Sequence, residues 1–274
     1  MKSFIDHGHC FHLYSYESFE LPQGVERREA REILPEARAF SQSGGMGSGG
    51  FGGFSDLFRY RLLLDRGGWW VDTDVVCLAR EIAEPDIFFG WQDEQVINGA
   101  ILRFPAGHPL VESLYREAEA KGETFEWGAI GPNLLTATIR GGTFASHATP
   151  AALAYPIRWQ DALHPLLPPR AEEVRTRVGS APFLHLWNEV FRQAGVLQWA
   201  GPPPESFLAD LFLRHGIAVR EPAYSGDEMT RMARNLSAAI NAGKAEAEVR
   251  RLQAELAKIR AEYDRLSAAA PRPA

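Results

Sequence analysis

Apolar and polar positions change period several times along this chain. From residue 55, Leu57, Tyr60, Leu63 and Leu64 recur at helical spacing until Gly67 and Gly68 stop the pattern. Ser55 suits the N-cap of that helix, with Asp56 in its first turn. Trp69-Trp70-Val71 then reads as a short buried strand running into Asp72-Thr73-Asp74, and residues 75–78 as a continuation. Residues 87–91 and 99–104 predict two further strands, and residues 109–120 a helix. Upstream, residues 1–8 read as the end of a helix closed by Gly8. Residues 11–16 form an aromatic-rich strand, and 26–34 a short helix or a strand plus turn. Residues 41–53 hold seven glycines and three serines and predict a mobile loop.

Alternating strands and helices predict an α/β domain over residues 1–225. Late in it, residues 183–188 predict a strand end followed by a helix. Residues 226–274 predict a helical extension: Val249, Leu252, Leu256, Ile259, Tyr263 and Leu266 alternate spacings of three and four, the seam of a short coiled coil. That seam can pack on the domain or pair with a second copy of the chain.

Composition narrows the function. The net charge is −6 without a basic stripe, which excludes a nucleic-acid surface. Cys10 and Cys77 are the two cysteines; they form no disulfide framework and no CxxC metal spacing, and fit a cytosolic compartment. No run of 18 apolar residues is present, so a transmembrane span is not expected, while a peripheral membrane contact stays open. The first residues lack the apolar stretch of a signal peptide.

The chemistry concentrates in Asp72 and Asp74. Two carboxylates where a strand runs out lie at the edge where α/β sheets bind ligands. Such a pair suits a hard divalent cation, Mg²⁺ or Mn²⁺, sharing its shell with substrate phosphates. Asp56 and Arg59, three apart on a helix, share a face and can meet. A carboxylate there can accept from sugar hydroxyls, and a guanidinium can grip a phosphate. An Asp-x-Asp alone is more often a solvated turn; the preceding Gly-Gly-Trp-Trp-Val and the helix carrying Asp56 and Arg59 reverse that weighting. Gly45-Met46-Gly47-Ser48-Gly49-Gly50 spells a dinucleotide fingerprint, but polar residues precede it instead of a strand, so a flexible loop is the better reading.

The run Phe54-Ser55-Asp56-Leu57-Phe58-Arg59-Tyr60, then Gly67-Gly68-Trp69-Trp70-Val71-Asp72-Thr73-Asp74, closely resembles glycosyltransferase family 32, the sugar-binding region containing a DXD motif. Weaker likeness extends through Asn98-Gly99-Ala100-Ile101, Gly131-Pro132 and His185-Leu186-Trp187-Asn188. The resemblance implies a GT-A fold, a Rossmann-like mixed sheet flanked by helices, and a metal-dependent, retaining hexosyltransferase. It implies a UDP- or GDP-hexose donor, Mn²⁺ or Mg²⁺, and a glycan, lipid-linked or protein acceptor. By matched position, Ser55, Asp56, Arg59, Asp72 and Asn98 would contact the donor, Asp72 and Asp74 would hold the metal, and His185 would face it. The family begins with a strand ahead of the helix ending at Gly8, so a sheet lacking its first strand is expected here. Two rivals remain: a truncated, non-catalytic sugar-nucleotide-binding or interaction protein, and a haloacid-dehalogenase-like phosphatase, whose opening motif Asp72-Thr73-Asp74-Val75 also fits.

Overall fold

Residues 1–41, 50–197, 200–219, 221 and 224–269 are described by a computed structural model, with the backbone alone from 259 onward. Most of the glycine-rich stretch (42–49), the side chains of Ile259, Tyr263 and Leu266, and the final prolines lie outside the described residues. The chain runs α1 (Lys2–Asp6), β1 (Phe11–Ser15), β2 (Val25–Glu29), α2 (Gly52–Arg66), β3 (Gly68–Val71), β4 (Val75–Cys77), β5 (Phe88–Trp91) and β6 (Ile97–Phe104). After these come α3 (Pro109–Ala120), α4 (Pro132–Gly141), α5 (Ala151–Ala154), α6 (Ala171–Val178), β7 (Phe183–His185), α7 (Asn188–Gln193), α8 (Phe207–Arg214) and the long α9 (Gly226–Ala269). Residues 25–32 take the strand-plus-turn form, β2 followed by a 3-10 turn.

The fold is mixed α/β, but among the described residues its strands are divided into three small sheets instead of one continuous sheet. β1 and β2 pair in parallel, β3-β6-β5 is antiparallel, and β4 pairs antiparallel with β7. β6 is the centre, buried along most of its length because it carries strands on both sides. Leu102 and Phe104 join the core formed with α2, α3 and α4, while Ile101 joins the core formed with β4, β7, α6 and α8. Trp69, Trp70 and Val71 of β3 are half-buried, as an outer strand of its sheet should be.

Helix α2 starts four residues earlier than its cap signal predicts. Phe51 takes the cap position without a side-chain bond, and Ser55 lies inside the first turn, its amide donating to the Phe51 carbonyl at 2.8 Å. Packing overrides the local signal: Phe54 must meet Phe40, Tyr16 and Phe58, and Gly53 passes so close to Phe40 and Phe125 that a side chain there would collide. The helix does end at the double glycine. Gly67 and Gly68 both have positive φ, 64° and 87°, which turns the chain directly into β3.

None of the described helices is long and apolar enough to cross a membrane. Leu63, 1% exposed, anchors α2 in the core against the sheet and α3. Leu63→Ala should cost about 2–5 kcal/mol in urea unfolding. A cost below about 1 kcal/mol would mean that α2 is held by something other than this contact.

Candidate functional site

Asp72, Thr73 and Asp74 form the turn by which the chain leaves one sheet and enters another. The Asp72 amide extends the β3–β6 ladder by donating to Ala100 O at 2.8 Å, and Leu186 N donates to Asp74 O at 3.0 Å, extending β4–β7. Val75 N closes the turn on Asp72 O at 3.0 Å. The pair therefore does not sit on extended backbone, as its spacing suggests. The two carboxylates converge because each ends a different ladder at the junction. Across from them, His185 closes β7 opposite Val75. One ligand atom from each of Asp72, Asp74 and His185 can be chosen such that all lie within 4.8 Å of one another.

Beside this cluster Arg59 is buried, 5% exposed, and clamped by two carboxylates. One nitrogen donates to Asp56 Oδ1 at 2.5 Å and the other to Asp72 Oδ1 at 2.9 Å. Trp70 adds a second donor to the same Asp72 oxygen, its indole N–H at 2.7 Å, and its ring lies 5.0 Å from the guanidinium. Two glycines make room. A Cβ on Gly99 would strike the Arg59 guanidinium, and one on Gly131 would strike the Asp56 carboxylate.

Asp74 is held from the other side. Its Oδ2 accepts the Asn188 backbone N–H at 2.8 Å and lies 3.2 Å from His185 Nε2. The preceding residue, Trp187, takes the left-handed conformation (φ 57°, ψ 51°), a costly backbone for a bulky residue. Its indole donating to Ile157 O at 2.8 Å and its ring 4.2 Å from that of His185 hold it there.

Burial pushes the Asp56 carboxyl up to about 6; Arg59 opposes that rise and Asp72 adds to it. Burial also works against the Asp74 carboxylate, but His185 and the Asn188 amide outweigh it and hold its pKa below the ordinary value. Burial disfavours the Arg59 charge, yet Asp72 and Asp56 together raise its pKa. Asp56 and Asp72 thus meet one guanidinium, while Asp74 stands beside His185. The buried Nδ1 of His185 has no hydrogen-bond partner among the described residues. Two carboxylates and the Nε2 edge of one imidazole within 4.8 Å of one another are donor atoms of the kind that can hold a divalent cation.

Of the predicted site residues, the structure brings Asp56, Arg59, Asp72, Asp74 and His185 together. Ser55 is adjacent, one residue before Asp56 on α2. Asn98 points elsewhere: its amide donates to Gln92 at 2.7 Å and its carbonyl oxygen accepts from Ala100 N at 2.7 Å, so its side chain braces β6. Trp70, read from sequence only as part of a buried strand, also bonds an acidic residue two positions on. That spacing was a visible signal. Gly99, Gly131, Trp187 and Asn188 lie in segments of the weaker family likeness, but what they do is seen only in three dimensions.

Comparison with known proteins finds two relatives. The chain is 29% identical over 150 residues to lactosylceramide 4-alpha-galactosyltransferase of Rattus norvegicus, covering 49% of this chain and 40% of that protein. It is 29% identical over 146 residues to the Mus musculus protein of the same name, with the same coverage. The match thus spans about two fifths of the length of these relatives. No family model matches, and no solved structure matches. The likeness supports a relationship to glycosyltransferases.

Removing the clamp has a defined cost. Arg59→Leu strands two carboxylates and should destabilise the fold by about 3–5 kcal/mol in denaturant unfolding, against under about 1 kcal/mol if water reaches the pair freely. The Asp56 carboxyl, followed by carbon-detected NMR, should titrate near 6. Because that pKa lies above its unfolded value, the unfolded chain releases the proton first, and Asp56 subtracts stability as pH rises from about 4 to about 6. Asp74 has the opposite sign: its contribution is lost as pH falls through its lowered folded value. An Asp56 midpoint at or below the ordinary 3.8 would contradict its burial.

Proposed function

We propose that this chain is a glycosyltransferase of GT-A type that moves a hexosyl group, with retention of configuration, from a UDP- or GDP-hexose to a glycan, lipid-linked or protein acceptor. The observation that carries the reading is the pairing of two units at one sheet junction. One is a convergent Asp72–Asp74–His185 set, and the other is a buried Asp56–Arg59–Asp72 clamp. The relatives' name adds a galactosyl group, an α linkage and a glycolipid acceptor, which makes UDP-galactose and lactosyl-terminated acceptors the first to test.

In this reading Asp72, Asp74 and His185 hold Mn²⁺ or Mg²⁺, which when bound supplies Lewis-acid neutralisation of the departing diphosphate. The remaining work belongs to the chain. Ionised Asp56 accepts from hydroxyls of the donor sugar, and Arg59 keeps its position by satisfying Asp56 and Asp72 at once. Trp70 and Arg59 both hold Oδ1 of Asp72, which leaves Oδ2 to face the ligand. Asn188 does the same for Asp74 by fixing one oxygen. Ser55, next to Asp56, and Gly99, against Arg59, border the donor. No side chain is assigned as a covalent nucleophile; rate enhancement comes from positioning and from fixed charge around the leaving group.

A phosphatase reading would need Asp72 as an attacking nucleophile. The clamping of its Oδ1 by Arg59 and Trp70 does not favour that role. The deciding experiment is release of nucleotide diphosphate from a donor panel with Mn²⁺, comparing wild type with Asp74→Ala. Turnover should fall by about 100-fold or more in the variant, the scale for losing a group that stabilises transition-state charge. Equal turnover in both proteins, indifferent to chelator, would remove the proposal.

A further inference from the structure

The long helix α9 carries two apolar stripes, and only one of them is used. Its first turns lie on the domain: Met229 is fully buried, and Met232, Ala233 and Leu236 pack against the same core. From residue 241 to 258 every side chain is exposed. Within that stretch Val249, Leu252 and Leu256 are 52%, 50% and 63% exposed, large aliphatic groups left in water.

At roughly 100° per residue, Met229, Met232, Ala233 and Leu236 fall on one arc of the helix. Ala238, Ala242, Ala245, Val249, Leu252 and Leu256 fall on another, about 180° away. Ala238 still borders a cleft with His164, Leu167, Pro169 and Arg170 of the domain; from Ala242 onward the second stripe faces away from the protomer's own domain and cannot reach it without breaking the helix. The alternation of four and three continues through positions 259, 263 and 266, so Ile259, Tyr263 and Leu266 occupy the same register. Nine successive seam positions, from 238 to 266, are apolar at a mean period of 3.5.

We propose that this stripe is the interface of a parallel, in-register coiled coil between two copies of the chain. Charge decides the partner. The positions flanking the seam on one side are Glu248, Glu255 and Glu262, and on the other Glu246, Gln253, Arg260 and Ser267. In a parallel pair the first row meets the second, setting Glu255 against Arg260 and Glu248 against Gln253 of the second copy. In an antiparallel pair the glutamate row would face itself. Arg251, on the outer side, bonds Glu248 at 2.7 Å and Glu255 at 3.2 Å, fixing the glutamate row along the border of the stripe. Val249 followed by Leu252 favours two strands and the small Ala242 and Ala245 suit two closely approaching backbones, whereas Leu256 followed by Ile259 pulls toward more, so strand number is read from the mass measured below. A bilayer is the wrong partner: the apolar stripe is narrow and its borders carry four glutamates where a membrane-lying helix carries Lys and Arg.

Two strands also resolve a local instability. Outside the domain the helix has little to hold it beyond its own backbone and i to i+3 or i+4 ion pairs, each worth only tenths of a kcal/mol. Burial of the seam supplies the missing stabilisation. This inference is independent of the enzymatic reading.

The test is light scattering of the full chain at micromolar concentration under reducing conditions. Wild type should give twice the 30.5 kDa chain mass, and Leu252→Asp with Leu256→Asp should give the single-chain mass with an unchanged near-ultraviolet spectrum of the domain. A monomeric wild type overturns the proposal, as does a dimer that survives both substitutions or a trimer or larger assembly. Orientation is read by Ala245→Cys in a Cys10→Ser background. Oxidation should join the two copies, and an intact dimer that fails to cross-link overturns the parallel arrangement. Recruitment to phosphatidylserine vesicles that is lost in the double variant would assign the stripe to a membrane instead.

Discussion

A guanidinium withdrawn from water must be surrounded by carboxylates, and almost everything at this site is arranged around that requirement. Arg59 sits on α2, its first partner Asp56 one turn before it, and its second partner Asp72 at the end of β3. The clamp therefore ties a helix to a sheet edge by charge as well as by packing. It also sets what the surrounding backbone can be: the collision that a side chain at Gly99 or Gly131 would cause follows from how closely β6 and the start of α4 approach the pair. Desolvation makes the arrangement all-or-nothing, since a buried charge with half its partners is worse than none.

The second carboxylate of the acidic turn belongs to a different structural unit. Asp72 continues the β3–β6 ladder while Asp74 leads into β4–β7, so the turn is a joint between sheets. Placing charge at a joint has a physical logic. Backbone groups there are already paired outward into two ladders, and the side chains are free to converge. Trp187 shows the cost, a bulky residue in a left-handed conformation that aims the next amide at Asp74. Asp56 and Asp72 share one arginine while Asp74 is met by His185 and the Asn188 amide, so the turn gathers acidic groups and an imidazole at one point.

The helix that leaves the domain obeys a different rule. Its first turns satisfy an apolar face against the core, and the rest presents an opposite face that the same chain cannot cover. A site dominated by buried charge and a stalk dominated by exposed aliphatics are thus physically separate features of one chain.

Local sequence determined a good deal here. The double glycine that ends α2, the helical spacing of Asp56 and Arg59, and the strand before Asp72 depend on short-range geometry, which residue identity encodes directly. The period of the tail likewise announced a helix with a seam. Long-range packing decided the rest. The helix α2 begins at Gly52 and not at Ser55 because Phe54 needs its aromatic neighbours. Asn98 became a brace of β6 because Gln92 happens to lie across from it. The strands split into three sheets, and the acidic pair converges through a turn, because ladder partners lie tens of residues away. Which side of α9 meets the domain is set by Met229 and its neighbours. Contacts between distant segments carry no period in the chain, so only the folded structure reveals them.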